Sequence, residues 1–258
     1  MSRRPWGVLR RGGRRRVRPG EDAPPPVRGG CSGDRPAGFA GASAPGQTAA
    51  RLNFLAHLHL AAPGGSATPA ALVGSLMPDL VRGPLPPGLP PEVAAQVARH
   101  RRVDRATDTH PAFLEAAALF RPRLGRWAPV AADVCLDASL CRAWPGVHPV
   151  PLEEAVRGFH AGLFRGRGLM PPRMRAACRR MIAQGWLLRY ASGPGLEATL
   201  RQMSDHFGRR LGRAVDLVPA AGVARERAAE LDRLLVPLLA HLESPEVLGP
   251  AKQPAATA

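Results

Sequence analysis

The sequence predicts an all-α protein that folds as a single helical domain. Aromatic residues make up only 5% of the 258 residues, so leucine, alanine and valine must supply most of the core. Leucine and alanine favour helices, whereas aromatic and β-branched residues favour strands. No stretch shows the sustained alternation of apolar and polar residues that is typical of a strand. Apolar residues instead recur every three or four positions, between segments rich in proline and glycine.

The composition divides the chain into three parts. Residues 1–51 contain eleven arginines and three acidic residues, which account for half of the formal net charge of +16. They show no apolar periodicity, and we expect a disordered extension. Such a basic segment can bind nucleic acid by counterion release, but disorder alone is the simpler interpretation. The helical domain is predicted to span residues 52–243, and residues 244–258 are predicted to be a disordered tail.

The predicted helices follow one another between proline and glycine residues. Pro91 stands where a helix can begin, and Pro111 could open the next one. Residues 130–144 are apolar on nearly all sides, which predicts a buried helix, and residues 224–242 carry the widest apolar stripe. The predicted helices cover 69–82, 92–107, 111–119, 130–144, 152–164, 173–190, 196–211 and 224–242, with a proline-rich loop at 84–91.

Two further features bear on the cellular location. No window holds the roughly 18 uninterrupted apolar residues that a membrane span needs, and no apolar stretch follows the N-terminal arginines. The four cysteines include no CxxC pair. We therefore expect a cytoplasmic protein with reduced thiols and no membrane partner.

Three polar residues lie four positions apart in the predicted helix at 92–107 and just beyond it. His100, Asp104 and Asp108 would share one helical face, with Arg101 beside them. They could be metal ligands next to cations that bind an anionic substrate. They could instead form a solvated charged face, and the spacing alone favours this second interpretation.

A second pair of acidic residues lies in the most apolar predicted helix. Asp133 and Asp137 are four positions apart, so they also share a face. A buried carboxylate is costly without a partner, and a metal ion would supply the missing charge. The alternative is that Asp133 caps a helix and Asp137 pairs with an arginine.

Two other segments carry candidate ligands. Asp79 precedes Arg82 by three positions. The two residues could form an ion pair, or Asp79 could be a metal ligand beside Arg82 as a phosphate-binding group. His57 and His59 diverge if they lie on a helix, so only one of them could face a shared site. Imidazoles together with several carboxylates suit Mn²⁺, Mg²⁺ or Fe²⁺ better than a thiolate-rich zinc site.

These segments, taken together and in order, resemble the acyl carrier protein phosphodiesterase family. The resemblance spans about residues 53–215 and rests on residues 53–61, 74–83, 100–108, 133–137 and 186–190. It implies an all-helical fold distantly related to the HD phosphohydrolases and a divalent metal, typically Mn²⁺. The implied reaction is hydrolysis of the phosphodiester that joins 4′-phosphopantetheine to a serine of holo acyl carrier protein.

With this resemblance, each candidate residue receives an expected role. The metal ligands would be His57 (or His59), Asp79, His100, Asp104 and Asp133. Asp137 or Asp108 would orient or deprotonate the attacking water. Arg82, Arg101 and Arg102 would bind the phosphate, since the guanidinium fork can bind two oxygens. The net positive charge of residues 52–258 fits an acidic carrier protein as partner.

One departure from the family bears on activity. Ala138 follows Asp137 where the family usually has a histidine, and Pro78 before Asp79 is a smaller departure. If that histidine is a ligand or a general acid, this protein would be weak or inactive. If it only supports a ligand, its loss would cost about 10–100-fold in activity. Two alternatives therefore stay open: an HD-type phosphohydrolase acting on a nucleotide or another small phosphodiester, and a catalytically weakened homologue that binds carrier protein.

Overall fold

The computed structural model describes residues 54–81 and 83–249, and this part of the chain is helical throughout with no strand. The all-α, single-domain prediction is confirmed. Arg82 and the predicted extension at residues 1–51 lie outside the described residues. The helices are α1 (Phe54–Ala61), α2 (Pro69–Leu80), α3 (Pro91–Thr109), α4 (Pro111–Leu124), α5 (Ala128–Val147), α6 (Leu152–Arg165), α7 (Pro172–Ala183), α8 (Trp186–Arg189), α9 (Gly193–Leu211), α10 (Pro219–Glu226), α11 (Ala228–Leu242) and α12 (Pro245–Leu248).

Proline opens many of these helices, because its fixed φ suits the first helical turn and its missing N–H needs no partner there. Helices α2, α3, α4, α7, α10 and α12 each begin with one. Side chains also cap helix starts by accepting a backbone N–H, as His110 does from Ala112 at 3.2 Å before α4. Thr68 accepts from Ala71 at 3.1 Å before α2, and Ser192 accepts from Gly195 at 3.2 Å before α9.

Helix α5 forms the centre of the core, as its apolar sequence predicts. Every residue from Val130 to Cys141 is buried. The neighbouring helices α4, α11 and α1 pack around it. No helix in the described ranges has the length and apolar character needed to cross a membrane.

The most extensive helix pairing among the described residues joins α2 to α3, and a glycine makes their close approach possible. A Cβ atom on Gly74 would lie 2.7 Å from both the Val93 carbonyl oxygen and the Gln96 Cβ atom. Any larger residue would push the two helices apart. This contact fixes the position of Asp79 on α2 relative to His100 on α3.

Two predicted helices are interrupted, and the prediction of continuity was wrong in both. The helix predicted at 173–190 ends at Ala183, because Gly185 adopts a left-handed φ of +60° and a new short helix follows. The helix predicted at 224–242 is divided at Arg227 into α10 and α11. The predicted helix at 111–119 in turn continues to Leu124.

Packed structure also extends past residue 243, where the sequence predicts a tail. Helix α12 buries Val247. Arg102 on α3 donates from Nε to the Val247 carbonyl at 3.0 Å and from its terminal nitrogen to the Leu248 carbonyl at 3.1 Å. Arg99 also donates to the Leu248 carbonyl, at 3.1 Å. Residues 250–258 lie outside the described residues.

Candidate metal centre

The site is organised around the imidazole of His100. Its Nδ1 lies 2.7 Å from the backbone carbonyl oxygen of Ser75 on α2. A carbonyl can only accept a hydrogen bond, so Nδ1 carries the proton and donates. The other ring nitrogen, Nε2, faces Asp79 near the end of α2 and Asp104 on α3.

Four side chains from three helices converge there. His100 Nε2 lies 3.3 Å from Asp104 Oδ2 and 3.6 Å from Asp79 Oδ1, and His57 Nε2 lies 3.3 Å from Asp104 Oδ1. The rings of His57 and His100 stack with their centroids 3.8 Å apart. One ligand atom each from His57, Asp79 and His100 lies within 4.8 Å of the other two. We call these four residues, His57, Asp79, His100 and Asp104, the histidine–aspartate cluster.

The cluster is buried on all but one side. Both imidazoles are 1% exposed as side chains and Asp79 is 7% exposed, whereas Asp104 is 20% exposed. Solvent and ligands therefore reach the cluster at Asp104. The structure thus joins in one place four of the five metal ligands expected from the sequence.

Protonation in the cluster is strongly coupled. Burial alone would lower the pKa of His100, but the hydrogen bond to Asp104 and the charges of Asp79 and Asp104 outweigh it and raise that pKa. Burial would raise the pKa of Asp104, but hydrogen bonds from His100 and His57 hold it well below the usual range. The opposite directions of these two shifts show that His100 and Asp104 stabilise each other's charged forms.

These residues fit a divalent metal ion. A metal-binding histidine usually donates its second ring N–H to a backbone carbonyl, as His100 does to Ser75. Two imidazoles and two carboxylates form a donor set of nitrogen and oxygen that suits Mn²⁺, Mg²⁺ or Fe²⁺. None of the described cysteines is in the group.

The other histidine of α1 faces a different part of the protein. His59 Nε2 lies 2.9 Å from Glu243 Oε1, at the end of α11. Its ring packs edge-on against Trp144, with centroids 5.4 Å apart, and lies near His148. The structure therefore places His57, and not His59, at the cluster, because residues two apart diverge on a helix.

Asp137 is a residue of α5, and its carboxylate caps the start of α1. Its two carboxylate oxygens accept hydrogen bonds from the backbone N–H groups of Leu55 and Ala56, both at 3.1 Å. The arginine partner that the sequence suggested as an alternative is thus replaced by backbone donors. Burial and the charges of Asp133 and Asp79 raise the pKa of Asp137 well above its usual value, against the effect of the two N–H groups.

The remaining candidates are more dispersed. Asp133 is buried in the middle of α5, which begins at Ala128, so it does not cap that helix. Asp108 and Arg101 are exposed on α3. Arg102, expected at the phosphate, binds the end of α12.

Two contributors to the site were not anticipated from the sequence. The backbone carbonyl of Ser75 orients His100, and Gly74 lets α2 approach α3. The glycine was a usable signal, because a glycine inside a helical pattern often marks a close backbone contact. Ala138, beside Asp137 on α5, is 2% exposed and belongs to the apolar core.

Comparison with known proteins decides the family. The sequence model of the family described as acyl carrier protein phosphodiesterase matches residues 52–232, which include the whole histidine–aspartate cluster. The chain belongs to the acyl carrier protein phosphodiesterase family. The matched segment covers α1 to α10 and part of α11.

Several curated members of the acyl carrier protein phosphodiesterase family are similar to this chain. A protein of that name from Enterobacter sp. (strain 638) is 36% identical over 155 residues, which is 60% of this chain and 78% of the relative. Proteins of the same name from Yersinia pestis and Escherichia coli are 35% identical over the same shares. No solved structure matches the chain, and the relation to HD phosphohydrolases stays a prediction.

Proposed function

We propose that this protein hydrolyses the phosphodiester between 4′-phosphopantetheine and a serine of holo acyl carrier protein. The products would be apo carrier protein and free 4′-phosphopantetheine. One observation carries the proposal: two imidazoles and two carboxylates converge within the segment that matches the acyl carrier protein phosphodiesterase family. Relatives that carry this name support a hydrolase that processes carrier protein.

In this proposal His57, Asp79, His100 and Asp104 hold one divalent cation, with Mn²⁺ as the first choice. Asp133 is the fifth proposed ligand. When bound, such a cation polarises a phosphoryl oxygen and makes water a stronger nucleophile at neutral pH. The Ser75 carbonyl keeps the His100 ring in the orientation that presents Nε2 to the site.

Other residues of the chain would bind and activate the reactants. The exposed side of the cluster at Asp104 is the expected entrance for the phosphodiester. Arg82 and Arg101 are the proposed phosphate contacts, whereas Arg102 is engaged by α12. Asp137 or Asp108 is the proposed base for the attacking water.

The direct test is intact-protein mass spectrometry of holo carrier protein incubated with the purified protein and Mn²⁺. We expect loss of the prosthetic group in wild type, no loss with a chelator, and no loss with Asp104→Ala. Asp205→Ala is a matched control, because Asp205 is exposed on α9 and is outside the cluster. Full turnover by the Asp104→Ala variant would exclude the assigned role of the cluster.

The same assay separates the two alternatives. Turnover of a small phosphodiester such as bis(p-nitrophenyl) phosphate, with intact holo carrier protein, would favour an HD-type phosphohydrolase of other specificity. Binding of holo carrier protein without turnover of either substrate would favour a weakened homologue, as the alanine at position 138 allows.

A further inference from the structure

The positive charge of the folded part of this protein is concentrated in one segment. Residues 155–196 contain eight arginines and no aspartate or glutamate. Elsewhere in residues 52–258, seventeen basic and seventeen acidic residues balance each other. The entire net charge of +8 outside the N-terminal extension therefore comes from this single segment.

Most of these arginines lie on a continuous stretch of chain at the protein surface. The end of α6, the 3₁₀ turn Gly166–Leu169 and α7 follow one another directly. On α7 the buried residues share one side, and the arginines occupy the opposite side. We define the arginine surface as the exposed residues Arg165, Arg167, Arg173, Arg175, Arg179 and Arg180.

No acidic side chain of the described residues forms an ion pair with the arginine surface. The ion pairs between arginine and carboxylate in this part of the chain involve Arg142, Arg201, Arg227 and Arg233. Within the arginine surface, Arg167 and Arg175 donate to nearby backbone carbonyls. Six guanidinium groups without a carboxylate partner among the described residues repel one another. Binding of a negatively charged partner to this surface is therefore electrostatically favourable.

An exposed aromatic residue lies among the arginines. Phe164 is 61% exposed, and the guanidinium of Arg167 lies 4.5 Å from the centre of its ring. Arginine and aromatic residues are enriched at the energetic centres of protein interfaces. A phenylalanine adds little to nonspecific binding of phosphates, but it can fill an apolar recess on a protein partner.

The arginine surface is supported by the same helix that supplies a metal ligand. Helix α2 packs against α6, the 3₁₀ turn and α7, and it carries Asp79 near its end. Gly166 allows the 3₁₀ turn to approach Pro69 and Val73 on α2. Twelve helical residues span about 18 Å, so about that distance separates the two ends of α2.

We propose that the arginine surface docks the carrier protein, through acidic side chains on the surface of that substrate. This inference rests on the proposed function, in which the reacting serine belongs to a folded acidic protein. Because the scissile bond is attached directly to that protein, the enzyme must bind the protein surface beside the cluster. This surface has one exposed phenylalanine and six arginines that form no ion pair with the described carboxylates, so it supplies complementary charge and an apolar anchor.

The test is binding of apo carrier protein, which lacks the phosphodiester and is not turned over. The full chain is titrated at low salt with fluorescently labelled apo carrier protein. The test variant is Arg173→Glu/Arg179→Glu/Arg180→Glu on α7. A variant with the same charge change, Arg209→Glu/Arg210→Glu/Arg213→Glu, alters exposed arginines in the last turn of α9 and just beyond it.

We expect the α7 variant to bind apo carrier protein at least about 10-fold more weakly, and the α9 variant to stay within about 3-fold of wild type. Circular dichroism checks that both variants fold. Equal loss in the two variants would show general charge attraction and overturn the proposal, as would wild-type affinity in the α7 variant. Unchanged carrier binding with lost binding to anionic vesicles or duplex DNA would assign the surface to those partners instead.

The docking surface and the proposed reaction can fail separately. Selective loss of binding in the α7 variant, without hydrolysis of holo carrier protein by wild type, supports the surface and removes the reaction. Hydrolysis with the same kcat/KM in wild type and the α7 variant supports the reaction and removes the surface. Bis(p-nitrophenyl) phosphate turnover should be equal in both proteins, because this small substrate needs no docking.

Discussion

Replacing Asp137 by alanine should destabilise the protein by about 2–4 kcal/mol, since its carboxylate holds the start of α1. The carboxylate accepts two backbone N–H groups, from Leu55 and Ala56, at 3.1 Å each. A buried donor left without a partner costs roughly 1–3 kcal/mol, and the Leu55 donor is the more deeply buried of the two. Removing a buried carboxylate near Asp133 and Asp79 offsets part of this loss.

Asp137→Asn separates the structural role of the residue from a catalytic one. The amide keeps one acceptor oxygen, so we expect roughly half of the destabilisation seen with alanine. If Asp137 also deprotonates water, Asp137→Asn should lose most turnover while the protein remains folded. If Asp137 only caps α1, turnover should persist in every variant that folds.

The assay is guanidinium chloride unfolding followed by helical circular dichroism. Because the pKa of Asp137 is raised in the folded state, the folded protein binds this proton more tightly than the unfolded chain. The wild type should therefore lose stability relative to Asp137→Asn as the pH rises from about 4 through the raised pKa. An Asp137→Ala variant within about 0.5 kcal/mol of wild type would refute the capping argument.

Four further predictions follow from single side chains. Arg102→Ala should lower the free energy of unfolding by about 1–2 kcal/mol and speed hydrogen exchange in α12, with turnover unchanged. A roughly 100-fold fall in kcat/KM with normal hydrogen exchange would instead indicate that Arg102 binds the phosphate. Ala138→His should cost about 1–3 kcal/mol by overpacking the core, and a rise in turnover of holo carrier protein would show that the missing imidazole limits this enzyme. Burial and the charge of His241 lower the pKa of His110 in the folded protein. As the pH falls through about 6.5, His110 is therefore protonated more readily in the unfolded chain than in the folded protein, and the free energy of unfolding decreases. His110→Asn should lose less stability between pH 7.5 and 5 than wild type, and equal losses would contradict this. Burial raises the pKa of Cys178 to about 12, so maleimide at pH 7.5 should label it only after unfolding, and rapid labelling of the native protein would show an open core.

Local features of the sequence predicted part of the geometry of the candidate site. His100 and Asp104 are four residues apart, and this spacing alone puts them on one face of α3. The same geometry shows that only one of His57 and His59 can face the cluster. Which one does so depends on how α1 packs against α2 and α5, and spacing within one helix carries no such information.

Other features depend on contacts between distant parts of the chain. The contact of Arg102 with α12 was not predicted, because α12 lies where the sequence predicted a tail. The sequence therefore suggested no partner for this arginine other than a phosphate. The break at Gly185 was missed because glycine is compatible with a helix, and only its positive φ ends one. The charge of residues 155–196 is visible in the sequence, but its exposure on one surface requires the fold.

The hydrogen bond between His59 and Glu243 joins the first described helix to the end of α11. Helix α1 has only eight residues, and isolated helices of that length are unstable in water. Helix α2 packs against α1 and follows it directly, but two hydrogen-bond partners of α1 come much later in the chain, with Asp137 about 80 residues and Glu243 184 residues away. During synthesis on the ribosome, α1 therefore gains its last anchor only when almost the entire domain has emerged. The newly made chain therefore completes the histidine–aspartate cluster late, and a truncated product that lacks α11 would hold His57 poorly.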